Sequence, residues 1–257
     1  MDHRSSLTDQ PHPVPVSRDV LSATTQWTSL ATAFGTAEAL PAALALLTDA
    51  DPGVREAALR DALGAVTHQN TIYEATVPVA LYVAAILSHP TIQVDEDPDA
   101  GTQHRPALVQ LLEWLGDTAY DANDESAAFE EQLDGEGPDK PMRAFRDARP
   151  AIHSAVRPFL DHENAAVRHT ALVASIPLIE HPVLARHQAE LTEHARRLLD
   201  TSTDRHQRDR TLNALNSWGH DTSGLENASD RAARVHHARL RAAHEAGEGG
   251  YSDDPPF

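Results

Sequence analysis

Leu46-Leu47-Thr-Asp-Ala-Asp-Pro-Gly-Val54-Arg55-Glu-Ala-Ala-Leu59 aligns without gaps to Phe159-Leu160-Asp-His-Glu-Asn-Ala-Ala-Val167-Arg168-His-Thr-Ala-Leu172, at an offset of 113 residues. A more degenerate third copy sets Leu199, Arg208 and Leu212 in step with Phe159, Arg168 and Leu172, and a fourth sets Val235 and Leu240 at the same Val–Leu spacing. Each copy ends a helix on leucines, turns through acidic residues and starts a new helix with Val-Arg and an apolar residue one turn later. An Asp before the helix caps its free N–H groups, and an acid there suits the positive end of the dipole. One such helical pair cannot bury its own apolar face, so stacked neighbours must complete the core. The repeat therefore predicts an all-α chain, an α-solenoid of stacked antiparallel helical pairs.

Composition agrees. Aromatic residues make up 5% of 257 residues and cysteine is absent, while alanine and leucine supply most of the apolar content. Those two are strong helix formers, whereas strands draw on β-branched and aromatic residues. Residues 1–20 and 247–257 read as disordered ends, and 21–246 as one helical domain with acidic loop insertions at about 91–103 and 117–139. Within that domain Trp27, Leu30 and Phe34 fall at i, i+3 and i+7, a helical face that Gly35 ends. Leu40, Leu44 and Leu47 form a second stripe, and Val54, Ala58, Leu59, Leu63 and Val66 a third. A fourth helix is predicted over 71–88, and a later one carries Leu108, Leu111, Leu112 and Leu115. Trp27, Trp114 and Trp218 are expected in the core.

Asp-Pro-Gly-Val-Arg-Glu-Ala-Ala-Leu (51–59) resembles the inner-helix signature of HEAT and HEAT/ARM-like repeats, with its turn aspartate and arginine. The stretch from Trp27 through Ala-Phe-Gly35 and Pro41, and on through His68-Gln69-Asn70-Thr71-Ile72-Tyr73-Glu74-Ala75-Thr76 to Pro78, is similar to bacterial, actinomycete-type HEAT-repeat proteins. The likeness covers about residues 25–90 and 150–215. Asn70 stands where glycine is expected. The resemblance implies an interaction module with a concave face and no set reaction.

A formal charge of −18 repels nucleic-acid phosphate and anionic membrane surfaces and favours a basic protein partner, although an acid-rich surface equally serves solubility. Without cysteine, thiolate metal sites, disulfides and cysteine nucleophiles are excluded. No phosphate-cradling loop, dinucleotide fingerprint or nucleophile elbow occurs. The chain starts without a signal peptide's apolar core and has no run of membrane-spanning length, which predicts a cytoplasmic protein. Non-enzymatic protein binding is thus the leading expectation, with an immunity-like inhibitor of a basic toxin or nuclease as its most specific form. No cofactor is expected, and the oligomeric state is left open.

The candidate contacts are His68, Gln69, Tyr73 and Glu74, placed at one rim or else packing and pairing locally. Arg55 and Arg168 read a ligand or pair with turn acids such as Asp51 and Glu163. The acidic run with Asp117, Asp121, Asp124, Glu125, Glu130 and Glu131 serves as an electrostatic lure or as a solvated tether. Among sixteen histidines no pair is spaced by three or four, the spacing a helical metal site needs. The nearest constellation is His187, Glu190 and His194, at i, i+3 and i+7, which carries the alternative reading of a metal-dependent enzyme.

Overall fold

A computed structural model describes residues 17–93, 105–135 and 137–247. The chain is mostly helical and divides into two units, Met1–Leu191 and Thr192–Phe257. The predicted disordered ends lie largely outside the described residues. Where the N-terminal one is described it is already helical, since α1 begins at Arg18 (Arg18–Thr24). Most of the predicted loop at 91–103 also falls outside them.

The first unit opens with a departure from the predicted periodicity. Trp27–Ser29 forms a single 3-10 turn, and Ala31–Thr32 (β1) pairs antiparallel with Gly35–Thr36 (β2), Ala31 opposite Thr36 and Thr32 opposite Gly35. No helix carries Trp27, Leu30 and Phe34 on one face. Gly35, at φ +125°, closes the two-residue turn in a backbone region that L side chains rarely adopt. Next come α2 (Leu40–Ala45) and α3 (Pro52–Ala58), the latter running on through a π turn to Leu63. Of the predicted stripes, Leu40, Leu44, Leu47, Ala58, Leu59, Leu63 and Val66 are buried, while Val54 is half-buried. The fourth helix, α4, is shorter than predicted (Thr76–Ile86), because 68–75 is a turn.

After the short α5 (Pro90–Gln93), α6 (Ala107–Asp121) buries Leu108, Leu111, Leu112 and Leu115. The predicted acidic loop at 117–139 is instead helical over most of its length, comprising the end of α6 and all of α7 (Asp124–Asp134). Asn123 caps α7 by accepting from the Ser126 N–H, Asp124 and Glu125 sit at its positive end, and Gly135 closes it at φ +71°. Caps and dipole outweigh the repulsion of its acids. Next are α8 (Lys140–Val156) and α9 (Ala165–Leu178). Helix α4 packs on α8, and α6 on α9. The α6–α9 approach is close enough that a Cβ at Gly116 would stand 2.9 Å from the Ala174 Cα.

Helix α10 (Gln188–Thr201) leads into the second unit, which contains α11 (Arg205–Ser217) and α12 (Ala228–Gly247). Trp27 is buried as expected, but Trp114 and Trp218 are only partly so.

The repeat has a physical core in its turns. Asp51 accepts from the Gly53 N–H, and Arg55, four residues on, donates to the Asp49 and Ala50 carbonyls at 2.9 and 3.1 Å. Asn164 and Arg168 do the same, with Arg168 reaching the His162 and Glu163 carbonyls at 2.7 and 2.6 Å. Asp204 and Arg208 form the third copy. The arginines thus satisfy orphan turn carbonyls. The fourth copy does not lie at Val235 and Leu240, which are exposed in the middle of α12. It lies at Asn227, which accepts from the Asp230 N–H, and Arg231, which donates to the Glu226 carbonyl at 2.6 Å. Asp139 and Arg143 at the start of α8 add a fifth.

Candidate functional site

The hairpin at Ala31–Thr36 is pinned to the segment that follows α3. The Ala33 N–H donates to the Ala65 carbonyl at 2.9 Å, and the Ala75 N–H to the Ala31 carbonyl at 3.1 Å. The Glu74 carboxylate accepts from the Ala31 N–H at 3.1 Å. Phe34 therefore stands on a fixed support, yet its side chain is 75% exposed. Its ring lies 5.4 Å from the His68 ring. Beside it, Gln69 and Asn70 are both left-handed, at φ 53° and 59°. Two adjacent non-glycine residues in that region store strain that the surroundings must hold. The glycine expected at 70 reflects this backbone requirement, which asparagine meets better than most residues. Of the predicted rim residues, the fold brings His68 and Gln69 to the exposed surface beside Phe34. Glu74 is used to hold the hairpin, and Tyr73 is half-buried with its N–H donating to Thr76 Oγ1 at 2.8 Å.

The acidic run is partly committed to the fold. Asp124 pairs with Arg146, and its N–H donates to Glu180 at 2.9 Å. Glu130 accepts from the Asp139 N–H at 3.2 Å. Asp117 and Asp121 belong to α6, while Glu125 and Glu131 are exposed on α7 together with Phe129, itself 60% exposed.

The proposed trio of His187, Glu190 and His194 does not converge. His187 Nδ1 lies 3.1 Å from Glu190 Oε2, and His194 instead meets Arg197 at 2.9 Å. Among the described residues no three His, Asp or Glu side chains gather so as to hold a metal. A further partner of Glu190 comes from another helix end. Arg157 grips Glu190 with Nε at 3.1 Å from both oxygens and Nη2 at 2.9 Å from Oε1. Arg186 Nε donates to His187 Nε2 at 3.3 Å, which places the His187 proton on Nδ1, directed at Glu190. Partial burial acts to raise the Glu190 carboxyl, but the hydrogen bonds from Arg157 and His187 outweigh it and hold the group below the usual carboxylate range. Against this network lies His153 of α8, with ring centroids 4.8 Å from His187. These groups line a cavity of about 350 Å³.

Comparison with known protein families, with curated proteins and with solved structures gives no match. Phe34, Phe129 and the His153 cavity were all missed from sequence. Phe34 was assigned to a helix face, and the cavity joins segments some thirty residues apart that carry no shared spacing. Among the described residues no helix is long and apolar enough to cross a membrane.

Proposed function

We propose that this chain is a HEAT-like, partner-binding helical-repeat protein whose docking point is the rim formed by Phe34, His68 and Gln69. The carrying observation is Phe34, an aromatic side chain 75% exposed on a hairpin that is itself held by backbone and carboxylate hydrogen bonds. Single exposed apolar residues are ordinary on mobile surface, but a rigidly presented aromatic loses little entropy on docking and is the residue type that anchors interfaces. The strained Gln69-Asn70 turn beside it supports the reading, since such strain is retained where geometry matters. The solenoid arrangement is supported by the packing of α4 on α8 and α6 on α9, each across one or more intervening helices, and by the recurring Asx–Arg turns.

The partner is a basic protein, on the strength of the −18 charge, of Glu125 exposed one turn before Phe129 on α7, and of Glu131 exposed on the same helix. Its most specific form is inhibition of a basic toxin or nuclease. Affinity capture from cells that naturally make the protein tests the reading. A stoichiometric basic protein retained by the wild type and lost with Phe34→Ala is the expected result. Retention unaffected by Phe34→Ala would move the docking point elsewhere, and no partner under native salt would end the proposal.

A further inference from the structure

Helix α12 is locally basic in an acidic chain. From Arg231 to His244 it holds Arg231, Arg234, Arg239 and Arg241 and no acid, within a protein of formal charge −18. From Arg231 to Ala242 only Ala233 is buried, and Val235 is 44% exposed. Arg234 is held by the Glu226 carboxylate at 2.9 and 3.1 Å, and Arg231 by the Glu226 carbonyl. Arg239 and Arg241 have no carboxylate partner among the described residues. Val235 and Arg239, four residues apart, stand on one face, about 6 Å from each other along the axis. Ala232 and Ala238 flank Val235 and are exposed, so a large ring can reach it.

Helix α7 presents the complement. It holds Asp124, Glu125, Glu130, Glu131 and Asp134 and no basic residue. Phe129 is 60% exposed, and Glu125, four residues before it, is exposed on the same face. Asp124 is paired with Arg146 and Glu130 accepts from the Asp139 N–H, whereas Glu125 has no partner among the described residues. A ring and a carboxylate one turn apart on α7 thus match a valine and an arginine one turn apart on α12. The carboxylate precedes the ring, while the arginine follows the valine. Both contacts therefore form together only when the two helices run antiparallel, the arrangement that also sets their dipoles favourably.

We infer that α12 of one molecule docks antiparallel on α7 of a second copy of this chain, with Phe129 against Val235 and Glu125 paired with Arg239. The two surfaces differ, so the contact is heterologous and every molecule offers both halves of it. A phosphate backbone would satisfy the arginines but leave Val235 without an apolar neighbour. Repulsion between two chains of −18 is screened beyond about 8 Å at physiological ionic strength, so the match between the helices decides. The contact uses neither Phe34 nor His68.

Sedimentation velocity of the full chain over the micromolar range, at physiological salt, tests the contact. The mass should rise with concentration beyond that of one chain. Glu125→Arg and Arg239→Glu should each weaken association by about tenfold, since an exposed ion pair is lost and a like-charge contact takes its place. The chain carrying both changes should recover it. Glu125→Arg makes the chain less negative, so relief of general repulsion would strengthen association, the opposite of the expected result. Phe129→Ser should weaken association as well. If Glu125→Arg, in the first turn of α7, does not keep native helicity, Arg239→Glu and Phe129→Ser decide. A chain monomeric at every concentration would overturn the inference, as would association that these changes leave intact or that the double reversal does not restore. Binding of single-stranded DNA or an anionic vesicle that Arg239→Glu abolishes, with the chain itself monomeric, would overturn it in favour of a phosphate ligand.

Discussion

Replacing Arg208 with methionine removes the most heavily used side chain of the second unit. Arg208 is 2% exposed and donates to the Leu199, Ser202 and Leu225 carbonyls, the last two at 3.0 and 3.1 Å. It also holds both oxygens of Asp230, at 3.1 Å from Nε and 2.6 Å from Nη2 to Oδ2, and Asp230 is 4% exposed. Methionine keeps much of the volume and none of the donors. Asp230 then retains the Asn227 N–H at 2.8 Å as partner, a buried carboxylate without its countercharge. Breaking such a pair from one side costs about 3–5 kcal/mol. Against a typical total of about 5–15 kcal/mol this is enough to melt the unit ten degrees or more earlier. The Arg208 hydrogen bond holds the Asp230 carboxyl below its usual range, so in the wild type its contribution is present above the unfolded value and lost as pH falls through the folded one. Urea unfolding followed by far-UV circular dichroism measures the loss. Adding Asp230→Asn should recover part of it, giving a coupling of about 1–3 kcal/mol in the double-mutant cycle. Arg231→Ala, at the equivalent but exposed position, should cost less than about 0.5 kcal/mol. A loss under about 1 kcal/mol for Arg208→Met, or strict additivity with Asp230→Asn, would refute the reasoning.

Other outcomes follow from single contacts. Gly116→Val should destabilise by about 1–3 kcal/mol, because even its Cβ would stand 2.9 Å from the Ala174 backbone, and thermal melts would register it. Gln69→Gly should be neutral or stabilise by about 1 kcal/mol at φ 53°, whereas Gln69→Val should destabilise by more than that. His153 sits near 4 in the folded protein against an ordinary 6.5. The unfolded chain therefore binds its proton first, and stability falls as pH drops from about 6.5 to 4, by up to about 3 kcal/mol. In His153→Phe that part of the pH dependence should vanish, and denaturant midpoints at pH 7 and 5 would show it.

The helical class was readable because capped turns and leucine stripes are local signals. Asp51 with Arg55 and Asn164 with Arg168 carry their own explanation within five residues. Following the Val–Leu spacing led to Val235 and Leu240, although the physically active pair is Asx and the arginine four residues later. Read that way, Asn227/Arg231 and Asp139/Arg143 also stand out in the sequence. Phe34 misled because three side chains at helical spacing, Trp27, Leu30 and Phe34, say nothing of Gly35, whose φ of +125° favours a hairpin turn over a helix end. The acidic run looked repulsive by count, yet its order mattered more, since Asn123 precedes two acids and Gly135 follows. The His153 cavity had no local signature at all. Arg157 and Glu190 are far apart in the chain, and only the packing of their helix ends makes them partners.

The most direct test of partner binding compares wild type and Phe34→Ala in affinity capture from cells that naturally make the protein, after both show the same melting temperature. Phe34 is so exposed that its removal should leave stability unchanged within about 0.5 kcal/mol. The expected result is one stoichiometric basic protein on the wild type and a loss of at least tenfold on the variant, as removal of an interface anchor gives. Equal recovery on both, or no stoichiometric partner on either, would contradict it.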